Sequence, residues 1–294
     1  MHHIKSGQGT TIPAIFFWLL AFIAQPALAE APLALRPLEQ QLAALNIARS
    51  GDVGIAALDL GSGEMVSIKG DEPFPMASTV KIAIAANYLV QVEHGRRSLN
   101  DTIRGQSARK LMEAMLIHSD NQATDVLLKN LGGPDLVQQW LSQNGVSGLR
   151  IDRNIAQLLR DRRDLSDIRD SSTPRAMVEL LRRIDNGTLL AASSRSYLLD
   201  LMARCMTGKN RIRGQLPSGT QVQNKTGTLS GLTTDVGFIT LPDGRRVAVA
   251  LFARNGANRS STIAWAARAI YDGFTHVVRG AFTPGYAIPG ASRE

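Results

Sequence analysis

The sequence predicts an α+β protein in which one antiparallel sheet is built from both ends of the chain and flanked by helices, with an all-helical domain inserted between the strands. Two strand-like segments joined by a turn occur before residue 70, and two more occur after residue 234. Residues 96 to about 206 are rich in helical patterns and contain little strand pattern. The predicted domains are therefore 30–75 with 210–294 for the sheet, and 76–209 for the helices.

The first 29 residues predict an export signal. His2, His3 and Lys5 precede the apolar run Ile12–Ala24, and the small-residue triplet Ala27-Leu28-Ala29 follows. The apolar run is shorter than the roughly 20 residues that span a membrane. We therefore expect cleavage after Ala29, a periplasmic or secreted protein, and no stable membrane insertion.

Composition suits an exported globular monomer. The 294 residues are 44% hydrophobic and 20% charged, with a formal net charge of +8. An exported protein rarely meets nucleic acid, so the charge favours solubility or attraction to an anionic envelope, with no nucleic acid as partner. Cys205 is the single cysteine and is predicted to be buried. No cofactor or metal is expected, since the histidines lack zinc-site spacing.

Periodicity and turn chemistry predict the elements before residue 96. An amphipathic pattern indicates a helix over Leu38–Ala48. Strands are predicted at Val53–Leu60 and Met65–Lys69, joined by the turn Gly61-Ser62-Gly63-Glu64. Residues Thr79–Val92 are apolar nearly all the way round, which is typical of a helix buried in the core.

The last elements return to the sheet. Two strands, Asp235–Leu241 and Arg246–Ala253, are linked by the turn Pro242-Asp243-Gly244. The second of them is apolar on both faces, as a central strand should be. A final helix is predicted over Ser261–Val278.

Three short motifs carry the chemistry. In chain order they are Ser78-Thr79-Val80-Lys81, Ser119-Asp120-Asn121 and Lys225-Thr226-Gly227. They supply a serine with a nearby amine, a second hydroxyl beside an amide, and a cation at a strand end. These groups are needed to form an acyl-serine from an amide that bears a carboxylate.

Ser78 is the predicted nucleophile. It lies three residues before Lys81, so both side chains share one face of a helix. A serine hydroxyl needs a neighbouring base. Burial and a second cation, Lys225, would favour the neutral, proton-accepting form of Lys81. A helix N-terminus also presents free N–H groups to an oxyanion.

The joint order of the motifs indicates function more strongly than any one motif. Ser107-Ala108-Arg109-Lys110 also matches the Ser-x-x-Lys pattern and also opens a helical pattern. We predict Ser107 to be a helix N-cap, because it lies too close to Ser119 to be the first motif. Alone, the other two motifs would suit a polar turn and a strand end.

Further segments match one family. They are Asn121-Gln122-Ala123-Thr124-Asp125 before Leu131-Gly132-Gly133-Pro134, then Ser171-Ser172-Thr173-Pro174, and Gly227-Thr228-Leu229-Ser230-Gly231 before Asp235-Val236-Gly237. With the motifs, they make nearly the whole mature chain resemble the class A serine β-lactamases, relatives of the D-alanyl-D-alanine peptidases. The resemblance implies a β-lactamase/transpeptidase-like fold and an acyl-enzyme hydrolase of β-lactams.

The resemblance implies three catalytic residues. Ser78 would attack the lactam or peptide carbonyl, and Lys81 would help to take its proton. Ser119 would relay a proton to the leaving nitrogen, while Asp120 would be structural.

It also implies four substrate-binding residues. Asn121 would bind the side-chain amide of the substrate, and Lys225 and Thr226 would hold its carboxylate. The backbone N–H groups of Ser78 and Thr228 would form the oxyanion hole.

One position departs from the family pattern. In class A enzymes a loop glutamate activates the water that releases the acyl group. Here Ile155 takes its place, and Leu159 replaces an asparagine that helps to hold that water. Counting back from Arg169-Asp170 selects Gln157 instead, which is not a base.

No shift of alignment restores the glutamate, because none occurs between Glu113 and Glu179. Asp161 or Asp164 is the alternative base if the loop brings either within hydrogen-bond reach of the water. We therefore expect acylation followed by slow release.

Three functions remain open. The first is an exported β-lactam-acylated serine hydrolase that deacylates slowly, and the second is a D-alanyl-D-alanine peptidase-like acyl transferase on peptidoglycan stem peptides. The third is a non-turnover binding or sensing protein, which the complete acylation set argues against. The segment between Lys81 and Ser119 is shorter than in class A enzymes, and a more open cleft would suit a stem peptide.

Overall fold

The computed structural model describes residues 31–48, 51–162 and 164–277. The predicted export signal, residues 1–29, lies outside the described residues. Of the helices that are described, none combines the length and apolar character needed to cross a membrane.

The described residues form nine strands. Their bounds are β1 Asp52–Asp59, β2 Met65–Ile68, β3 Phe74–Pro75, β4 Thr102–Ile103, β5 Gln106–Ser107, β6 Ser171–Ser172, β7 Val222–Leu229, β8 Leu232–Thr240 and β9 Arg246–Arg254. The large antiparallel sheet has the order β2-β1-β9-β8-β7. Two small sheets pair β3 with β6 and β4 with β5.

Nine α-helices are present in the same residues. They are α1 Arg36–Ala48, α2 Lys81–Glu93, α3 Ala108–Ile117, α4 Asn121–Asn130, α5 Pro134–Gln143, α6 Ile155–Arg160, α7 Pro174–Asp185, α8 Ala192–Ala203 and α9 Arg259–Val277.

Strand β9 is the centre of the large sheet and separates two cores. Its Val249 and Leu251 belong to the core that includes α1 and α9, whereas Ala250 and Phe252 belong to the core that includes α2 and α7. The alternation follows from the two-residue period of a strand that is buried on both faces. The predicted α+β fold, with one sheet built from both ends of the chain, is confirmed. The division into domains 30–75 with 210–294 and 76–209 stays a prediction.

Two elements differ from their predicted form. Ser78 lies in a 3₁₀ turn, Ala77–Val80, and α2 begins only at Lys81. Strand β7 is eight residues long, although only its cationic end was predicted. Its central residues are polar and include a glycine, so hydrophobic periodicity does not reveal it.

Candidate active site

Ser78, the predicted nucleophile, lies in the turn that precedes α2. Its side chain is partly exposed, whereas Ala77, Thr79 and Val80 are buried. The N–H and Oγ1 of Thr79 both donate to the Met76 carbonyl, at 3.2 and 2.7 Å, which closes the turn. Ala77 has a φ of 49°, a strained conformation of the kind found at functional sites.

Gly227 lets β7 lie directly against this turn. A Cβ at this position would lie 2.8 Å from the Met76 carbonyl oxygen, 2.9 Å from Ala77 Cβ and 2.4 Å from Thr234 Oγ1. Any side chain would therefore force the strand away from the turn. The glycine of the third motif thus brings the strand that carries Lys225 against the turn that carries Ser78.

Lys81 is fully buried and reaches across to the second motif. Its Nζ donates to the Ser119 carbonyl at 2.7 Å and to Asn121 Oδ1 at 2.8 Å. Longer contacts join Nζ to Ser119 Oγ at 3.3 Å and to the Asp120 carbonyl at 3.4 Å. The first and second motifs therefore meet around one amine.

The environment of Lys81 favours its neutral form. Burial, followed by the charge of Lys225, lowers the pKa of Lys81 to about 7, although Asp120 and Asp125 act in the opposite direction. A neutral amine has two N–H groups and one lone pair. The carbonyl of Ser119 and the Oδ1 of Asn121 accept the two N–H groups, so the lone pair is left for a hydroxyl. This arrangement suits a general base.

Ser119 lies between two amines. Lys225 Nζ donates to its Oγ at 2.9 Å, and Lys81 Nζ approaches it at 3.3 Å. Because the Lys225 amine donates to this oxygen, the Ser119 hydroxyl proton is free to go to another group. The φ of Ser119 is 61°, a strain of about 1–3 kcal/mol. Asp120 follows as the N-cap of α4 and accepts from the Ala123 N–H at 2.6 Å, which fits a structural role.

The third motif supplies a buried cation. Lys225 is fully buried, and burial lowers its pKa to about 8. Its Nζ also donates to the Thr226 carbonyl at 2.9 Å. The Oγ1 of Thr226 lies 2.5 Å from Thr207 Oγ1, which in turn lies 3.3 Å from the Sγ of Cys205. Cys205 is buried, as predicted.

Arg211 is a candidate substrate-binding residue that the sequence analysis missed. Its Nη2 donates to the exposed Thr228 side chain at 2.6 Å, and its Nη1 donates to the carbonyls of Gly227 and Thr234 at 2.9 and 3.0 Å. Its Nε is buried and has no partner among the described residues. The guanidinium therefore adds positive charge beside β7 at the point where a carboxylate would bind.

Asp235 on β8 holds the backbone beside Arg211. Its carboxylate accepts from Asn224 Nδ2 at 2.8 Å and from the backbone N–H of Ile212 at 3.2 Å. Burial raises the pKa of Asp235 to about 6, although both hydrogen bonds and the charges of Arg211 and Lys225 oppose this. The backbone next to Arg211 is thus tied to β8.

Ile155 lies at the start of α6 and is only 5% exposed. Its N–H donates to Asp125 Oδ1 at 2.7 Å, and the N–H of Ala156 donates to Asp125 Oδ2 at 2.9 Å. Asp125 therefore holds α6 against α4, beside Asn121. The side chain of Ile155 belongs to the apolar core of the helices.

Neither Gln157, the alternative position for the glutamate, nor Leu159, at the position of the asparagine, supplies a base. Gln157 forms a capping box with Asn154. Its Oε1 accepts from the Asn154 N–H at 3.1 Å, and its own N–H donates to Asn154 Oδ1 at 2.8 Å. Leu159 is 49% exposed and offers no polar atom.

The loop carboxylates named as alternative bases are bound within the loop. Asp161 pairs with Arg153 Nη1 at 2.7 Å. Asp164 accepts from the N–H and Oγ of Ser166 at 2.8 and 2.7 Å, and these bonds lower the pKa of Asp164. In the part of the chain that the structure describes, neither contacts a residue of the Ser78 site by a hydrogen bond or ion pair. A role for either as the base stays a prediction.

Comparisons with known proteins agree on one family. The chain matches the model of the beta-lactamase enzyme family over residues 37–274. It is 30% identical to the extended-spectrum beta-lactamase PER-1 of Pseudomonas aeruginosa over 274 residues, which cover 83% of this chain and 87% of that one. It is 31% identical to the carbapenem-hydrolyzing beta-lactamase KPC of Klebsiella oxytoca over 249 residues, which cover 76% and 84% of the two chains.

Solved structures show the same likeness. The class A beta-lactamase of the last common ancestor of Gram-negative bacteria superimposes with a TM-score of 0.77 at 32% identity, covering 81% of this chain and 99% of that one. The crystal structure of a beta-lactamase from Chitinophaga pinensis gives a TM-score of 0.75 at 28% identity, covering 80% and 98%.

Proposed function

Because the chain belongs to the class A serine β-lactamase family and is a serine hydrolase acting on β-lactams, we propose that Ser78 is its nucleophile and that its acyl-enzyme is long-lived. One observation carries the second half of the proposal. The position expected to hold the water-activating glutamate is a buried apolar side chain, Ile155, fixed at the start of α6.

Acylation begins when Ser78 Oγ attacks the lactam carbonyl carbon and its proton passes to neutral Lys81 Nζ. The N–H groups of Ser78 and Thr228 stabilise the oxyanion that forms. The C–N bond then breaks, and Ser119 gives its proton to the ring nitrogen while Lys81 returns a proton to Ser119. The 3.3 Å separation of Lys81 Nζ and Ser119 Oγ supports this relay.

The substrate carboxylate binds at the edge of the sheet. Lys225 and Thr226 provide the inner contacts, and Thr228 with Arg211 provides the outer ones. Strand β7 is an edge strand, so its outer side also offers backbone groups that no other strand of the sheet occupies. Asn121 holds the amide of the acyl side chain while its Oδ1 stays bound to Lys81.

Release of the acyl group requires an activated water. General-base catalysis contributes typically about 10²–10⁴-fold to such a step. Ile155 supplies no base, and Asp161 and Asp164 are bound elsewhere in the loop. The ester between Ser78 and the substrate therefore persists.

The proposal includes location and partners. The mature enzyme acts as a monomer in the periplasm or outside the cell after cleavage following Ala29, on β-lactams or on cell-wall peptides. The predicted signal supports the location, and the basic Lys225 and Arg211 beside β7 support a substrate that carries a carboxylate.

Incubation with benzylpenicillin, followed by intact-mass spectrometry, tests the proposal. We expect the protein mass to rise by that of one whole penicillin molecule, because opening the ring expels no leaving group. The Ser78→Ala variant should gain no mass. Penicillin hydrolysis with no detectable adduct would show that release is fast.

The second Ser-x-x-Lys sequence provides a matched control. Ser107 Oγ accepts from the Lys110 N–H at 3.3 Å as the N-cap of α3. Ser107→Ala should keep the full adduct and lower the free energy of unfolding by about 1 kcal/mol. An adduct that depends on Ser107 would contradict the assignment of the nucleophile.

Acylation should have a bell-shaped pH dependence. The rate rises as Lys81 loses its proton, with a pKa of about 7, and falls as Lys225 loses the charge that holds the substrate carboxylate, with a pKa of about 8. Stopped-flow acylation by a chromogenic cephalosporin from pH 5 to 10 measures both limbs. A flat profile across this range would exclude Lys81 as the base.

A second candidate reaction is acyl transfer from D-alanyl-D-alanine peptides of the cell wall. One observation favours it: a cleft of about 710 Å³ opens beside Asn121 and is far larger than a lactam side chain needs. Release of D-alanine from an N-acyl-D-alanyl-D-alanine peptide, compared between the wild type and Ser78→Ala, tests this reaction.

A further inference from the structure

A cleft of about 710 Å³ adjoins the candidate active site at Asn121. It lies between α4, the turn before α5, the start of α6 and the hairpin of β4 and β5. Asn121, whose Oδ1 accepts from Lys81 Nζ at 2.8 Å, is one of its lining residues. The cleft therefore shares Asn121 with the candidate active site.

Six of the residues that line the cleft are apolar. Its apolar lining residues are Val126, Leu128, Pro134, Ile155, Ala156 and Leu159. Leu159 is one of few large apolar side chains that are strongly exposed in the described residues. A cavity of about 150 Å³ accommodates benzene, so this cleft is several times larger than a benzyl side chain requires.

The charges that line the cleft are unbalanced. Arg104 on the hairpin and Lys129 on α4 are both exposed, and neither forms an ion pair with any other residue that the structure describes. The single acidic lining residue is Asp125, whose two oxygens are already bound by the N–H groups of Ile155 and Ala156. The cleft thus offers two cations without a compensating free carboxylate.

The hairpin holds Arg104 in a defined position. Arg104 and Gly105 have φ values of 48° and 80°, as in a tight two-residue turn between β4 and β5. The side chain therefore projects from a paired hairpin and not from a long loop.

We propose that this cleft binds the acyl portion of the substrate and selects extended, apolar acyl chains that end in a carboxylate. The apolar lining residues contact the chain, and Arg104 and Lys129 attract its terminal carboxylate. The inference rests on the proposed function, since Ser78 must be acylated by the same substrate. This selectivity accounts for a lining that combines apolar side chains with the cations Arg104 and Lys129.

A matched pair of penicillins tests the selectivity. One carries an adipoyl side chain, which ends in a carboxylate, and the other carries the methyl ester of the same chain. We expect the wild type to be acylated about three- to tenfold faster by the acid than by the ester, in the range of one or two exposed ion pairs. Arg104→Glu and Lys129→Glu should each lower this ratio at least threefold.

Lys110→Glu is the control for net charge. Lys110 is exposed on α3 and does not line the cleft. This variant should keep the wild-type ratio of the two acylation rates. Equal rates for acid and ester in the wild type, or an equal loss in Lys110→Glu, would overturn the proposal.

Binding without chemistry separates this inference from the proposed function. In a Ser78→Ala background the adipoyl penicillin should bind more tightly than its ester, and Arg104→Glu should remove the difference. If neither penicillin acylates the wild type, the proposed function is wrong. The difference in binding between the two penicillins then tests the assignment of the cleft by itself. No difference in binding would overturn the assignment of the cleft.

Discussion

Replacing Ile155 with glutamate is expected to accelerate hydrolysis of the acyl-enzyme by about 10²–10⁴-fold, the usual contribution of a general base. The backbone at this position is already fixed, since Asp125 holds the N–H groups of Ile155 and Ala156. Both Ile155 and Asn121 line the same cleft, so a carboxylate at 155 would lie on the side of the cleft that leads to Lys81.

Ile155→Gln is the matched control, because glutamine has the same shape as glutamate but no basic group. Both variants bury polar atoms in the apolar core of the helices, so both should lower the melting temperature. Decay of the penicillin adduct, followed by intact mass over time, measures the release rate. Equal rates for the glutamate and glutamine variants would show that position 155 does not face the ester.

Lys81→Met is expected to slow acylation of Ser78 by about 10²–10⁴-fold. The substitution keeps the length and burial of the side chain but removes the amine that would take the Ser78 proton. It also removes the donor to the Ser119 carbonyl and to Asn121 Oδ1, so Ser119 loses a contact that supports its positive φ.

The rate of adduct formation with benzylpenicillin measures the effect of Lys81→Met. Lys110→Met, an exposed substitution on α3, controls for the loss of one positive charge. The melting temperature of each variant separates slow chemistry from unfolding. An unchanged acylation rate in Lys81→Met would mean that another group activates Ser78.

Local chemistry made much of the fold predictable. The turns Gly61-Ser62-Gly63-Glu64 and Pro242-Asp243-Gly244 mark hairpins between observed strands. Ser107 was predicted to cap a helix and does so at α3. These features depend on residues within a few positions of one another, so a single sequence contains the whole signal.

The parts of the site that escaped prediction depend on distant contacts. Arg211 belongs to no motif, and its guanidinium is held by the carbonyls of Gly227 and Thr234, on two strands distant in sequence. The left-handed backbone of Ser119 is stabilised by the hydrogen bond that buried Lys81 donates to its carbonyl. The sequence at this position has no turn residue that would indicate this conformation. Strand β7 is polar, yet it is buried because Gly227 allows it to pack against the Ser78 turn.

The central place of β9 has a consequence for how activity arises during biosynthesis. A nascent chain that ends at Leu241 already contains Ser78, Lys81, Ser119 and Lys225, but β1 and β8 have no strand between them. Pairing such as Val53 with Ala253 has a high contact order and forms slowly. Until it forms, two apolar strand edges are open to aggregation. We therefore expect a chain that is truncated before β9 to lack an assembled site and to be bound by chaperones or degraded by proteases.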